Sequence, residues 1–370
     1  MLDGFAASVH FTKEDYLRLR NTYRKWWAGE LDRPIVPIVT AGHGADNERV
    51  GGPEICFATA WDTSISPAQF VETHDRKLAQ LRWHGDAFPC FAITPYGPGA
   101  MAAFLGCTPI GKKDTVWFMP PREDIPIEEL HFEFDENNPH FRRVLNTYDA
   151  AMNKWRGSVV LNMVDLGGIL DVLSSFRGAQ NLLLDLYDSP DEVLRCVNEL
   201  QELWFKYFDI FNSMMGDEVM GYSHWYNIFS EQPGYMLQSD FSYMISPDMF
   251  KTFVAPELKG SASRIKYSIY HLDGIGELPH LEQLLAMDDI RGIQWVPGSG
   301  APESMDWTDV LSRILASGKK LVSLAQAPDG TPSPLAANPG QLFFNERAYH
   351  ISDIKSAQEY AGMYGISVKE

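Results

Sequence analysis

Cysteine is scarce in this chain: Cys56, Cys90, Cys107 and Cys196 are the four thiols among 370 residues, and they stand far apart. None forms a CxxC pair, which excludes a zinc knuckle or a dense disulfide framework and leaves free, mostly buried thiols as the expectation. Long apolar runs are absent too, and no window approaches the ~18 continuous apolar residues of a membrane span. The opening MLDGFAASVHFTKEDY lacks the basic start and apolar segment of a secretory signal, so a cytoplasmic protein is expected. Basic clusters are also missing. With 31 Lys+Arg against 49 Asp+Glu, a net charge of −18, the field has the wrong sign for phosphate-backbone binding, which argues against nucleic acid and anionic membrane as partners. No Ser/Gly-rich linker, low-complexity tract or internal repeat divides the chain.

What is present points to one large core, with 45 % hydrophobic and 12 % aromatic residues. Short apolar runs ending in Gly, Pro or polar residues recur at 33–42, 86–99, 158–168, 217–225, 266–274, 290–300, 319–330 and 347–354. Segments of helical periodicity separate most of them. Ser189-Pro190 and Ser246-Pro247 supply the cap and first-turn proline of two such helices, and Gly318 ends a third. Strands alternating with helices predict parallel pairing through right-handed crossovers, and the eight runs predict a single closed (β/α)8 TIM barrel over 1–370. Two additions are expected. One is an N-terminal helix in TKEDYLRLRNTYRKWWAGEL; the other is an insertion after the second strand, in which DTVWFMPP and LHFEFDEN form a small hairpin.

Barrel enzymes carry their chemistry at the C-terminal ends of the strands. His271, Asp273, His224 and Asp165 are the candidate catalytic groups there, with Tyr96, Trp225, Gln294, Trp295 and Gln326 as candidate substrate contacts; His43, Ser352 and Asp353 also end runs. Each taken singly has a plain structural role, Asp165 as a helix cap and the two tryptophans as packing. His271 and Asp273 stand apart because alternation on a strand puts both on one face, directly before Gly274. Three chemistries suit the pair: ligation of a metal, an imidazole poised by a carboxylate for acid–base work, or a hydrogen-bonded pair that organises the loop.

The stretches FRGAQNLLLDLYDSPDEV (176–193), QSDFSYMISPDMFKTFVAPELK (238–259), YHLDG (270–274) and IRGIQWVPGSG (290–300) resemble the uroporphyrinogen decarboxylase superfamily, from about Arg33 to the C-terminus. The resemblance implies one TIM barrel with the site inside its mouth. It also implies a methyltransferase of the cobalamin-dependent branch, moving a methyl group between a methyl-corrinoid on a separate protein and a small acceptor. The decarboxylase activity is not expected, since an acidic mouth repels a substrate bearing eight carboxylates. Thiol methyltransferases of the family hold zinc with His-x-Cys and a later Cys. Here His271 is kept, Asp273 takes the first cysteine position, and Gln326 lies near the second. Zinc or another divalent ion on His271 and Asp273 then needs a third ligand from His224, Asp165 or Gln326, and the harder oxygen ligand favours an oxygen-bearing acceptor. The alternatives are a lyase, demethylase or hydrolase on a small polar or aromatic molecule, with Asp165 and Asp273 as a carboxylate pair in the glycosidase case, and a barrel that only binds a ligand.

Overall fold

The computed structural model describes residues 9–41, 52–155, 157–215, 221–324 and 333–368. In chain order the strands are β1 (Pro37–Ala41), β2 (Leu81–Gly85), β3 (Cys90–Phe91), β4 (Thr108–Gly111), β5 (Val116–Met119), β6 (Val160–Leu161), β7 (Gly234–Gln238), β8 (Tyr267–Asp273), β9 (Ile290–Val296), β10 (Lys320–Leu324), β11 (Leu342–Phe344) and β12 (Arg347–His350). Helices connect most of them, giving a mixed α/β architecture. Its centre is a five-stranded parallel sheet in the order β11-β10-β9-β8-β7. Strands β3 and β6 form a second parallel pair, and β12-β1-β2 a third sheet in which β1 runs parallel to β12 and antiparallel to β2. Isolated parallel bridges join Ile35 to Phe343 and Asn162 to Ser223. Among the described residues these ladders form separate sheets rather than one closed ring.

The central sheet is parallel because both of its faces are covered. Strand β8 shows how. Tyr270 and Leu272 of one face and Ile269 of the other are all fully buried, as expected of a strand sandwiched between two apolar layers. The helix Pro190–Met215 lays Leu200, Trp204, Tyr207 and Phe211 inward at helical spacing. Its Trp204 ring meets Tyr235 of β7 edge-on at 4.8 Å. The expected N-terminal helix is present as Lys13–Ala28, capped by Thr12 and ended by the left-handed Gly29. At the entry to β1, Arg33 grips Asp86 through two hydrogen bonds of 2.6 and 2.9 Å, and the same carboxylate accepts the Val36 N–H.

Three expectations are corrected. The fourth run was expected at 217–225, yet the strand that joins the central sheet is β7. Ser223 contributes only an isolated bridge. All five residues of β7 are buried, so its sequence shows no alternation to read. The eighth run, 347–354, does begin with a strand, but β11 is the one that joins the central sheet. β12, which falls in that stretch, pairs with β1 instead. The hairpin is β4 with β5, so DTVWFM does form a strand, but LHFEFDEN does not. The alternating aromatics of that segment serve packing: Phe132 lies 5.1 Å from Phe176, and Phe134 5.6 Å from Phe141.

Candidate functional site

His271 and Asp273 occupy the C-terminal end of β8 and share a face, as alternation requires. His271 Nε2 stands 3.8 Å from Asp273 Oδ2. The turn after β7 brings in a third group, Asp240, and one ligand atom from each of Asp240, His271 and Asp273 lies within 4.8 Å of the other two. Strand register completes the surroundings. Gln238, His271 and Gln294 are direct neighbours across β7, β8 and β9. Gln294 Oε1 accepts from His271 Nδ1 at 2.5 Å, which leaves Nε2 as the bare nitrogen on the carboxylate side. Trp225 packs edge-on against the imidazole with ring centroids 5.2 Å apart. Burial pulls the His271 pKa below its ordinary value, against the opposing pull of Asp273 and Gln294.

Asp240 is held from behind. Both oxygens of Asp171 are engaged by the turn, one by the Asp240 N–H at 3.0 Å and the other by the Phe241 N–H at 2.7 Å. This contact needs the loop after β6 to lie against the end of β7, and Gly168 makes that possible. A Cβ there would fall 2.3 Å from the Gln238 carbonyl oxygen and 2.4 Å from Asp171 Oδ2. Gly168→Ala therefore moves backbone rather than a side-chain tip. We expect it to cost about 1–3 kcal/mol of stability and to weaken divalent-ion binding, measured by thermal melting and ion titration of the same sample. Unchanged values for both would show that the loop yields freely.

The site is crowded with acid. Desolvation and the neighbouring Asp273 push Asp240, whose side chain water still reaches, up to about 7. Desolvation and Asp240 do the same to Asp171. Asp165 is pushed to about 7 by burial, although the Gly167 N–H and the Tyr235 hydroxyl donate to it. Glu277, fully buried below Tyr270 and accepting its hydroxyl at 3.0 Å, is pushed by desolvation up to about 10.

The other expected residues divide. Gln294 and Trp225 touch His271 directly, and Asp165 lies within electrostatic reach of Asp240. Asp165 accepts the Gly167 N–H in the loop before the helix Ile169–Arg177 but does not cap that helix, whose N-cap is Gly168 without a side-chain bond, so the expected capping role is corrected. His224 is buried, with Nδ1 accepting from the Tyr226 N–H at 3.4 Å and Nε2 without a partner. It does not join the ligand group, whose third member is Asp240. Two substrate contacts are corrected. Trp295 follows Gln294 on the same strand and so faces the opposite side, where it packs 5.4 Å from Trp307. Tyr96 is fully buried, its hydroxyl paired with Thr147 at 2.9 Å and its ring 5.1 Å from Trp61. His43 and Gln326 lie outside the described residues. Asp240 was legible in principle, since GYMLQSD is another apolar run that ends in polar residues. All four cysteines are free thiols, as expected. Cys90 Sγ, at the end of strand β3, donates to Asn227 Oδ1 at 3.3 Å.

The fold and this cluster define a mixed α/β protein with an imidazole and two carboxylates at the C-terminal ends of adjacent parallel strands. No protein-family model matches the chain, and no curated protein matches it.

Proposed function

We propose that the protein is a divalent-metal enzyme on a single (β/α)8 barrel of the uroporphyrinogen decarboxylase type, transferring a methyl group between a corrinoid carried by a separate protein and a small oxygen-bearing acceptor. The observation that carries the metal reading is the convergence of Asp240, His271 and Asp273. Two carboxylates and a neutral imidazole balance a divalent charge, and three protein groups leave a position open for substrate or solvent. The hydrogen bond from His271 Nδ1 to Gln294 leaves Nε2 free to ligate. A cation also relieves the repulsion between Asp240 and Asp273. The ion would act as a Lewis acid on an oxygen of the acceptor. The thiolate ligands of the family's zinc sites have no counterpart among Asp240, His271 and Asp273, so a hard acceptor suits the site better than a thiol. Arg33, committed to Asp86, is not spare for a polycarboxylate substrate.

The barrel reading draws on the two isolated bridges and on the bonds Ile35 N–H to Leu342 O and Phe344 N–H to Ile35 O, each 3.0 Å, which link the entry of β1 to β11. No helix among the described residues is long and apolar enough to cross a membrane. We read the protein as cytoplasmic. The test is elemental analysis of untagged protein together with a methylcobalamin demethylation assay over a panel of small hydroxylated acceptors. Stoichiometric zinc, manganese or iron with acceptor-dependent loss of methylcobalamin is the expected result. Metal without methyl transfer would redirect the reading to a metal-dependent lyase or hydrolase, and no metal at all would leave His271 and Asp273 as an acid–base pair.

A further inference from the structure

Trp225, which packs against His271, also lines a cavity of about 210 Å³ together with Phe88, Tyr226, Phe343 and Glu346, with Asn227 beside them. Four of these residues are aromatic. The Trp225 and Tyr226 planes meet at 85° with centroids 6.0 Å apart, and Tyr226 and Phe343 follow at 6.1 Å and 55°, so the rings turn a corner rather than stack flat. Tyr226 is fixed through its hydroxyl, which donates to Asn345. Glu346 is reached by water, yet among the described residues it has no hydrogen bond and no Lys or Arg partner. A carboxylate beside four aromatic rings is a combination that receives an organic cation.

The composition of the wall narrows what that cation can be. A metal ion or a primary ammonium needs several oxygen acceptors. The cavity offers one carboxylate, while Asn227 Oδ1 is already engaged by Cys90 Sγ at 3.3 Å and by Asn162 Nδ2 at 2.6 Å. An alkylated ammonium makes no such demand, because its charge is spread over methyl groups that rest on aromatic surfaces. A cavity of 210 Å³ has room for about seven non-hydrogen atoms at ~30 Å³ each.

We propose that this cavity binds a small alkylated ammonium cation, held by the Glu346 carboxylate and the rings of Phe88, Trp225, Tyr226 and Phe343. Trp225, shared between the cavity wall and the His271 surroundings, makes it a subsite of the proposed metal site. That assignment rests on the proposed function, while the binding itself does not depend on a metal. The test is calorimetric titration of the full chain with choline and, separately, with its uncharged carbon isostere 3,3-dimethylbutan-1-ol, with Trp225 fluorescence as a second signal. Choline is expected to bind at least about tenfold tighter than the isostere. Glu346→Gln is expected to remove that preference, lowering choline affinity about tenfold and leaving the isostere unchanged. No choline binding, or equal affinity for the two probes on the wild-type chain, overturns the proposal without recourse to any variant. So does a Glu346→Gln protein that melts normally and still prefers choline. Repeating the titration in EDTA and in Asp273→Asn separates the two readings. Choline binding that survives both is the expected result, and its loss in either would overturn the independence of the two sites, while the metal reading falls separately if the wild-type chain takes up no ion.

Discussion

Asp240→Ala, His271→Ala and Asp273→Ala are each expected to lower the affinity of the proposed site for Zn²⁺ or Mn²⁺ by more than about 100-fold, because loss of even an outer-shell partner of a metal ligand typically costs 10–100-fold. The three are expected to behave alike, since their ligand atoms lie within one 4.8 Å group. His271→Ala should abolish turnover in the proposed methyl-transfer assay. Asp273→Asn, similar in shape but uncharged, lowers it strongly. Gln294→Ala should act more mildly, loosening the imidazole without removing a ligand. Isothermal titration with each ion checks this, and His224→Ala serves as the contrast, because His224 stands outside the group. Equal losses from His224→Ala and Asp240→Ala would mean that the ion sits elsewhere in the mouth. Full affinity in Asp240→Ala would return the site to two ligands.

A second large effect is the acid sensitivity that a buried histidine brings. His74 is buried between Phe70 and Phe91, each 4.7 Å away, with Nδ1 paired to the Phe70 carbonyl at 3.0 Å and Nε2 without a partner. Desolvation lowers its pKa from 6.5 to about 4. The unfolded chain therefore takes up a proton before the folded one does. The contribution of neutral His74 is fully present above pH ~6.5 and is lost as pH falls from there through ~4, in total about 3 kcal/mol. His224, lowered to about 3 by burial alone, adds in the same direction. The raised carboxyls of Asp165, Asp171 and Asp240 pull the other way over the same range, so the test is a difference: the melting temperature of His74→Phe minus that of the wild-type protein should rise as pH falls from 6.5 to 4. If the variant and the wild-type protein lose stability in parallel, some other group sets the acid limit.

The site was readable to the extent that it obeyed strand periodicity. His271 and Asp273 share a face because they are two residues apart in a strand, and that needs nothing beyond local sequence. Periodicity also rules out having both Gln294 and Trp295 in the mouth, and the structure separates them accordingly. Asp240 was harder. It follows a strand buried on both faces, whose run GYMLQ has no alternation, and it is aimed by a carboxylate from the first turn of a distant helix, Asp171 of Ile169–Arg177, through backbone N–H groups that no residue pattern encodes. Tyr96 failed for a related reason. Its position after an apolar run was correct, but the 3-10 turn Thr94–Tyr96 directs the ring toward Thr147 of the helix Pro139–Trp155. Local sequence gives the period of an element, whereas the direction of a turn depends on what it packs against.

The first and last strands of the chain have one further consequence, which concerns the order of assembly. Ile35 is bonded on both sides to β11, and β1 is flanked by β12, so the early segment finds its parallel partners only when the far end of the chain arrives. Closing a loop of that length brings no reward until the last strands dock. During synthesis, β1 waits with an unpaired edge on the β12 side, covered only by its local hairpin with β2. Such an edge can pair with another chain. Yield of folded protein should therefore depend on chaperone supply and on concentration during refolding more than the stability of the finished fold would suggest.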